Sequence, residues 1–431
     1  MLTAFGRAFK TPDLRRKILF TLAIIGIYRL GSFVPGPGVS YVAIQRCLVQ
    51  VEGQGIYGLV NLFSGGALLQ LSVFALGIMP YITSSIILQL LVVVIPRLEE
   101  LKKEGQSGQA KITQYTRYLT VALAVLQSTG IIALARSGRL FQGCSEDLIP
   151  DDSLFRVLVL VITMTAGTAV IMWLGELITD RGVGNGMSVL IFTSIISSIP
   201  GQGLNLFRQD NGPFKVVSIA LLAVVVITLV VYVEQAQRRI PVQYAKRMIG
   251  RRMYGGTSTY IPLKVNQAGI IPVIFASSLL YLPQLLSNVW TSNRTFTRFI
   301  QEYLTQPSNP VYLTVYFGLI VFFTYFYVAI TFNPVEVSDN MKKYGGFVPG
   351  IRPGRATAEY LDFILSRITA FGAVYLGLVA VLPYLLFGLT GSGDQIPFGG
   401  TAVLIIVGVG LETVKQIESQ LMLRNYEGFL R

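Results

Sequence analysis

Residues 61–96 read NLFSGGALLQLSVFALGIMPYITSSIILQLLVVVIP and contain two apolar segments of unequal length. A short apolar piece, residues 62–71, is interrupted by a Ser-Gly-Gly triplet, and a longer apolar run follows over residues 73–95. At a rise of about 1.5 Å per residue, only the longer run can cross a hydrocarbon core of about 30 Å. Broken backbone at membrane depth survives only where protein covers it or water reaches it. The short piece is therefore either an element inside a cavity or a re-entrant connector with no moving part.

The composition is that of a polytopic membrane protein. Hydrophobic residues make up 52% of the 431 residues and charged residues 13%, whereas a soluble domain carries about 25% charged residues. The sequence has no histidine, which removes the commonest general base and metal ligand. Its two cysteines, Cys47 and Cys144, are too few for a thiolate zinc site. We expect no metal, no cofactor and no enzymatic activity.

Hydropathy predicts ten membrane spans. The first follows a basic segment, as a secretory signal does, but it ends in Pro-Gly-Pro-Gly without a small-residue cleavage site. The predicted spans are 18–34, 72–95, 116–135, 154–174, 185–199, 214–233, 268–290, 311–331, 367–387 and 398–417. An even number of spans puts both chain ends on the same side of the membrane.

The distribution of basic residues orients the spans. The segments on the side of the N-terminus hold 26 of the 35 Lys and Arg residues, with the tail counted from Lys415. Basic residues accumulate in cytoplasmic loops, so both termini are predicted to be cytoplasmic. Five spans per half is an odd number, so the halves run in opposite senses, which is the condition for an inverted repeat around a central site or pore. We place the N-terminal half at residues 1–205 and the C-terminal half at residues 206–431.

Two predicted cytoplasmic segments are too long to be turns. In residues 234–267, alternating apolar and polar positions flank a glycine-containing tip, which predicts a projecting hairpin. In residues 332–367, proline and glycine are so dense over 345–355 that we expect an ordered or extended loop rather than a helix. Arginines in the first segment suit anionic lipid, an acidic protein surface or RNA phosphates, and all three remain open; they are Arg238, Arg239, Arg247, Arg251 and Arg252.

The spans carry no catalytic constellation and no carboxylate in mid-span. A ten-span secondary transporter, the alternative function, normally has a buried ionisable group, and a polytopic enzyme would need a carboxylate or nucleophile cluster. The spans do contain apolar pairs at helical spacing, Ile78 with Ile82 and Met187 with Ile191, which either pack against neighbours or line a pore. Gln89 is either an ordinary interhelical hydrogen-bonding group or part of a seam that can open.

Several long motifs, in the same order along essentially the whole chain, resemble the SecY family, the channel subunits of the bacterial Sec translocase, with actinobacterial-like loops. The motifs are residues 63–68 (FSGGAL), 74–82 (FALGIMPYI), 103–105 (KEG), 114–118 (QYTRY), 173–176 (WLGE), 184–186 (GNG), 244–247 (YAKR), 262–266 (PLKVN) and 347–354 (FVPGIRPG).

The resemblance implies an all-α membrane protein of ten transmembrane helices in two inverted five-helix halves, with a short re-entrant plug helix and a cytoplasmic hairpin. The function it implies is a protein-conducting channel in the bacterial plasma membrane that moves unfolded secretory proteins outward and releases transmembrane segments sideways into lipid. By position, residues from about 56 to 70 would be the plug, with Asn61, Phe63, Ser64, Gly65 and Gly66 at its centre. An apolar pore ring would consist of Ile78, Ile82, Met187, Ile191, Ile274 and Ile405.

Further expectations come from the same resemblance. Spans 2 and 7 would form a lateral gate that binds signal sequences, with Ser85, Gln89, Asn266 and Ser278 on their seam. Arg251, Arg252 and Arg352 would receive the SecA ATPase or the ribosome through its rRNA phosphates. The other expected partners are SecE, SecG, SecDF and YidC-type accessory proteins, precursors with signal sequences, and the lipid bilayer.

Both cysteines fall in predicted extracytoplasmic loops, where oxidation is permitted. We therefore hypothesise a disulfide between Cys47 and Cys144 that ties the loop after span 1 to the loop after span 3.

Overall fold

The computed structural model describes most of the chain as a helical bundle with a small β-structure at one end. The described residues are 9, 11–50, 64–136, 138, 147–150, 153–208, 212–244, 247–249, 252–254, 258–289, 298–300, 303–304, 309–390 and 400–427. Asn61, Phe63, Cys144 and Arg251 lie outside them.

The helices and strands of the described residues are numbered here in chain order. The helices are α1 (Pro12–Phe33), α2 (Tyr41–Gln50), α3 (Met79–Val94), α4 (Pro96–Lys103), α5 (Gln106–Arg136), α6 (Leu154–Arg181), α7 (Gly186–Arg208), α8 (Gly212–Gln235), α9 (Ile271–Val289), α10 (Pro310–Thr331), α11 (Pro334–Lys343), α12 (Arg355–Thr390) and α13 (Gly400–Glu427). The strands are β1 (Gln237–Tyr244), β2 (Arg247–Ile249), β3 (Arg252–Tyr254), β4 (Ser258–Lys264) and β5 (Gly346–Phe347).

Each predicted span overlaps one helix; in order these are α1, α3, α5, α6, α7, α8, α9, α10, α12 and α13. In the described part of the chain, six helices are long and apolar enough to cross a membrane, or seven if the bent pair α3 and α4 is one span. Helices α7 and α9 contain shorter apolar stretches, and α1 carries Arg29, which lowers its hydropathy. The expected multi-span helical architecture is therefore present.

The second predicted span begins later than expected. Residues 65–78 are turns apart from an isolated bridge at Ser72, and α3 begins only at Met79. Gly77 has a positive φ of 56°, and Pro80 occupies the first helical turn, where proline is favoured. The predicted span of residues 72–95 is therefore helical only from Met79, because hydropathy measures apolarity and not backbone conformation. The described remainder of the expected plug helix, residues 65–70, is likewise turns.

A proline ends α3 on the other side. Pro96 pushes the preceding residue out of the α region, and Ile95 is extended, with φ −101° and ψ 111°. The chain turns by 99° and continues as α4, a short helix with no buried residue. The amphiphilic α4 therefore leaves the bundle at the end of the second span.

The turn segment of residues 64–78 lies within the N-terminal half and is held by backbone hydrogen bonds. The amide of Gly36 donates to the carbonyl of Leu71 at 3.0 Å, and the amide of Val73 donates to the carbonyl of Val34 at 2.9 Å. Gly167 of α6 permits close packing, because a Cβ there would lie 2.0 Å from the carbonyl oxygen of Val73. The segment is thus fitted between the end of α1 and α6.

The predicted hairpin in residues 234–267 is present. Strands β1 and β4 pair antiparallel, β5 adds to the other edge of β1, and β2 pairs with β3 nearer the tip. Ile240, Val242 and Leu263 are buried against side chains of α11 and α12. The alternation read from the sequence therefore corresponds to one face that packs on the rest of the protein.

Residues 344–354 contain no helix, as expected, but helices flank them. Helix α11 precedes β5, and α12 begins at Arg355, twelve residues before the predicted ninth span. The hydroxyl of Ser338 donates to the carbonyl of Gly354 at 2.7 Å, which fixes the loop against α11. Helix α7 likewise continues through Pro200 to Arg208, so the predicted boundary at residues 205 and 206 falls inside a helix.

Candidate functional site: an apolar waist with a gate, a plug and a docking face

Side chains from both halves converge on one apolar cluster. All six residues expected to form the pore ring belong to this cluster or pack against it: Ile78, Ile82, Met187, Ile191, Ile274 and Ile405. They come from the turn before α3 and from α3, α7, α9 and α13. Ile405 is fully buried and Ile82, the most exposed of the five isoleucines, is 8% exposed. The cluster is a large contiguous core with many other members, and an apolar ring within such a core would disfavour a continuous water column.

Met187 packs against the cluster from α7, next to α6. A Cβ on Gly175 would lie 2.5 Å from the Met187 sulfur, so the thioether sits between α6 and α7. Its flexible chain can still swing toward the centre, because methionine has three rotatable bonds.

The two helices expected to form the lateral gate, α3 and α9, pack against each other. Of the four seam residues, Ser278 is buried, Ser85 is half-buried and Gln89 is exposed. The Ser278 hydroxyl has no hydrogen-bond partner in the described structure. An unpartnered polar atom weakens the packing of an apolar seam, which is compatible with an interface that opens.

Asn266 makes contacts that differ from those of a simple seam residue. It is buried, and its side-chain amide donates to the carboxylate of Glu234 at 2.5 Å and to the carbonyl of Gly269 at 3.1 Å. Glu234 ends α8 and Asn266 precedes α9, so the bond closes the base of the β1–β4 hairpin. The structure thereby joins the hairpin to the helix that borders the expected gate.

In the expected plug, Ser64 is buried, and Gly65 and Gly66 both have positive φ. Asn61 and Phe63 lie outside the described residues, so their places in the plug are untested. Arg29 of α1 reaches this segment: its guanidinium donates to the Gly65 carbonyl at 3.0 Å. Sequence reasoning missed Arg29, although a basic residue inside a span is a recognisable signal.

Two of the three expected docking arginines, Arg252 and Arg352, lie at the hairpin end of the bundle. Arg352 is exposed, and its carbonyl accepts a hydrogen bond from the Thr357 hydroxyl at 2.9 Å, which orders its loop. Arg252 belongs to β3, where it pairs with Ile249, and Arg251 lies outside the described residues. The nearby Arg239 lies 4.8 Å from the centre of the Tyr260 ring. This end therefore presents guanidinium groups.

Cys47 is fully buried in α2 and is a half-cystine. Cys144, the other cysteine of the sequence, lies outside the described residues, so the pairing of the two stays a prediction. Helix α2 packs with the middle of the turn segment, since Ala43, Ile44 and Leu71 belong to one buried cluster.

Comparisons with known proteins identify the family of this arrangement. A family model described as SecY matches residues 72–414. Among curated proteins, the protein translocase subunit SecY of Streptomyces scabiei is 65% identical, and that of Mycobacterium bovis is 60% identical, each over 100% of both chains.

The chain belongs to the SecY family.

Solved structures agree at the level of the fold. A structure titled "The structure of a protein conducting channel" has a TM-score of 0.64 at 18% identity, and covers 94% of this chain and 91% of that chain. Sec61 in a canine ribosome–channel complex has a TM-score of 0.61 at 18% identity over the same shares. The expectation of a SecY-type channel fold is confirmed. This SecY-family chain is the protein-conducting, non-enzymatic subunit of a bacterial Sec translocase, a multi-pass membrane protein.

Proposed function

We propose that this channel moves unfolded secretory proteins outward across the bacterial plasma membrane and releases transmembrane segments sideways between α3 and α9. The observation that supports this proposal best is the convergence of the six nominated side chains on one apolar cluster from both halves. An apolar ring of these six side chains would seal the channel when no substrate is present and could close around an extended polypeptide. Aliphatic side chains can change rotamer to fit the substrate without exposing a fixed polar site.

In this proposal the plug occupies the outer funnel and the α3–α9 seam is the exit to lipid. An apolar signal sequence would bind at the seam between α3 and α9. Its apolar side chains would make contacts with the two helices that replace the contacts the helices make with each other. The buried Ser278 hydroxyl and the exposed Gln89 support the assignment, since polar groups limit the strength of the closed seam. The division into inverted halves, 1–205 and 206–431, is part of the same proposal.

We also propose that the hairpin end is cytoplasmic, together with both termini, and that it receives the motor. The positive-inside bias supports this orientation. Arg251, Arg252 and Arg352 suit the carboxylates of SecA or the phosphates of rRNA, because a guanidinium pairs with either in bidentate geometry. SecE and SecG would complete the channel, with SecDF and YidC-type proteins as accessory partners. The energy would come from SecA, from the ribosome or from the proton gradient.

The test is reconstitution of the chain with SecE in vesicles, followed by addition of SecA, ATP and a precursor with a signal sequence. We expect ATP-dependent protection of the precursor from added protease. The matched control is the same precursor without its signal sequence, which should stay accessible. Equal protection of both precursors, or protection without ATP and SecA, would contradict the proposal.

A further inference from the structure

We propose that Arg29 is the residue that positions the plug: its guanidinium latches the Gly65 carbonyl to α1, and release of this bond precedes displacement of the plug. The inference rests on the proposed channel function, and assigns a role to a side chain that the pore, gate and docking face do not use.

The first support is the location of Arg29. It lies in α1, the helix of the first predicted span, and is half-buried, with its guanidinium carbon 5.0 Å from the centre of the Phe33 ring. Ionisable residues within spans are costly and usually functional. The neighbouring Tyr28 is fully buried and shares a hydrogen bond of 2.6 Å with Ser194 of α7. Arg29 therefore projects from a helix that is itself held firmly against α7.

The second support is the close approach at Gly65. Its φ is +64°, which favours glycine, and a Cβ there would lie 2.8 Å from the Arg29 guanidinium and 3.1 Å from the Cα of Ser194. The backbone of the segment is thus drawn into the space between α1 and α7. Its carbonyl accepts the guanidinium N–H there at 3.0 Å.

The third support is the contrast between the two ends of the segment. At its far end, backbone bonds join Leu71 and Val73 to residues 34–36, and Pro35 bridges Ser72. Leu71 has a φ of +44°, and among the described residues it alone combines a side chain with a positive φ. Strained backbone of this kind marks places where a chain is held in a sparsely populated conformation. The proposal places the pivot at residues 71–73, where these backbone bonds hold the chain, and displacement of the segment also requires the buried Leu68 to leave its packing site.

The chemistry of the exchange follows from the donors of arginine. A guanidinium offers five N–H groups and no acceptor. An extended polypeptide entering the channel carries unpaired backbone carbonyls, which can replace the Gly65 carbonyl one for one. The translocating polypeptide thus breaks the Arg29–Gly65 hydrogen bond by offering its own carbonyl groups to Arg29, and Arg29 stays protonated throughout.

The experiment measures exposure of the segment in the reconstituted full chain with its complex partners. Ala67 is 1% exposed within the segment, and Ala75 is fully buried beyond the pivot. Each is changed to cysteine in turn, and its reaction with a membrane-impermeant maleimide is followed from the outer side. The parent chain, without the new thiol, sets the background. Loss of a charge-assisted hydrogen bond in Arg29→Met should raise the labelling rate at position 67 about tenfold or more, with position 75 unchanged.

Two results would overturn the latch: unchanged labelling at position 67 in Arg29→Met, or an equal rise at position 75, which would mean general loosening. If Arg29→Met does not assemble, Arg29→Lys is used instead. A smaller rise in labelling at position 67 is then expected, and the absence of any rise would overturn the proposal.

Precursor protection is measured on the same vesicles. A parent chain that fails to protect a precursor contradicts the channel proposal, whereas normal protection with unchanged labelling contradicts only the latch.

Discussion

At the scale of single residues, solvent exposure decides how much an ion pair contributes. Arg117 of α5 and Glu176 of α6 form a bidentate pair at 2.9 and 2.8 Å, and the Glu176 side chain is 22% exposed. Arg355 and Glu359 form a pair of similar length on one helix, but their side chains are 93% and 67% exposed. Water and salt weaken the second pair much more than the first.

We therefore predict that Glu176→Gln destabilises the protein by about 1–2 kcal/mol, because Arg117 loses its charge-assisted bonds. The matched control, Glu359→Gln, should stay within about 0.5 kcal/mol of the parent. The measurement is thermal unfolding of the purified chain in detergent. Equal melting temperatures for the two variants would show that the α5–α6 pair contributes no more than a surface pair.

Asn266 and Glu234 provide a second test at this scale. Glu234→Leu leaves the buried Asn266 amide with only its bond to the Gly269 carbonyl, and Asn266→Leu leaves the half-buried Glu234 carboxylate without this bond. Each change should cost about 1–3 kcal/mol. The double variant should cost clearly less than the sum, because residues in one hydrogen-bond pair are coupled. A double-mutant cycle from thermal unfolding measures this coupling. Strict additivity would mean that the contact contributes nothing.

At the scale of elements, the hairpin is held by one face of its sheet. Ile240 is 2% exposed and packs with residues of α11 and α12. Thr259, which pairs with Val242 and so shares its face of the sheet, lies nearer the hairpin tip and is exposed. The strands alone form a small sheet, and sheets of this size need packing against other elements to be stable. The orientation of the docking arginines therefore depends on this small core.

We predict that Ile240→Ala frees the hairpin, since loss of a buried isoleucine side chain costs about 2–5 kcal/mol locally. Trypsin should then cleave the hairpin, which is rich in Lys and Arg, several-fold faster than in the parent. Thr259→Ala is the control and should leave the cleavage rate unchanged. If both variants resist trypsin equally, the packing face does not hold the hairpin in place.

At the scale of the whole molecule, the proposed pore ring joins side chains that are far apart in the chain. Ile405 of α13 is fully buried in the same cluster as Ile78 and Ile274. A polar side chain there lowers the barrier to a water column, because water can hydrogen-bond within the constriction. Ile131 of α5 is 1% exposed but belongs to a different cluster, so it offers an equally buried comparison.

We predict that Ile405→Ser makes vesicles that contain the resting channel leak a small anionic dye, while ATP-dependent protection of a precursor is retained. Ile131→Ser should lower the melting temperature without leakage, because its site is only a packing site. Dye efflux and thermal unfolding are measured for both variants. Leakage from both variants would indicate general destabilisation, and tight vesicles with Ile405→Ser would remove that residue from the seal.

Hydropathy, charge and alternation in the sequence by themselves determined the spans and the hairpin. These signals are local: an apolar run must be buried or lie in lipid, and alternation creates a sheet with one apolar face. The resemblance to the family also nominated the six apolar residues of the expected pore ring, which lie in or against one buried cluster.

Only the tertiary structure decided which partners the polar and flexible side chains find. Asn266 binds Glu234, Arg29 binds Gly65, and the Met187 sulfur lies on Gly175. It also decided that the backbone before Met79 is turned rather than helical, because packing between α1 and α6 fixes that path. The physical reason is the same in each case: these contacts join residues separated in sequence, and no local pattern encodes the distance between them in space.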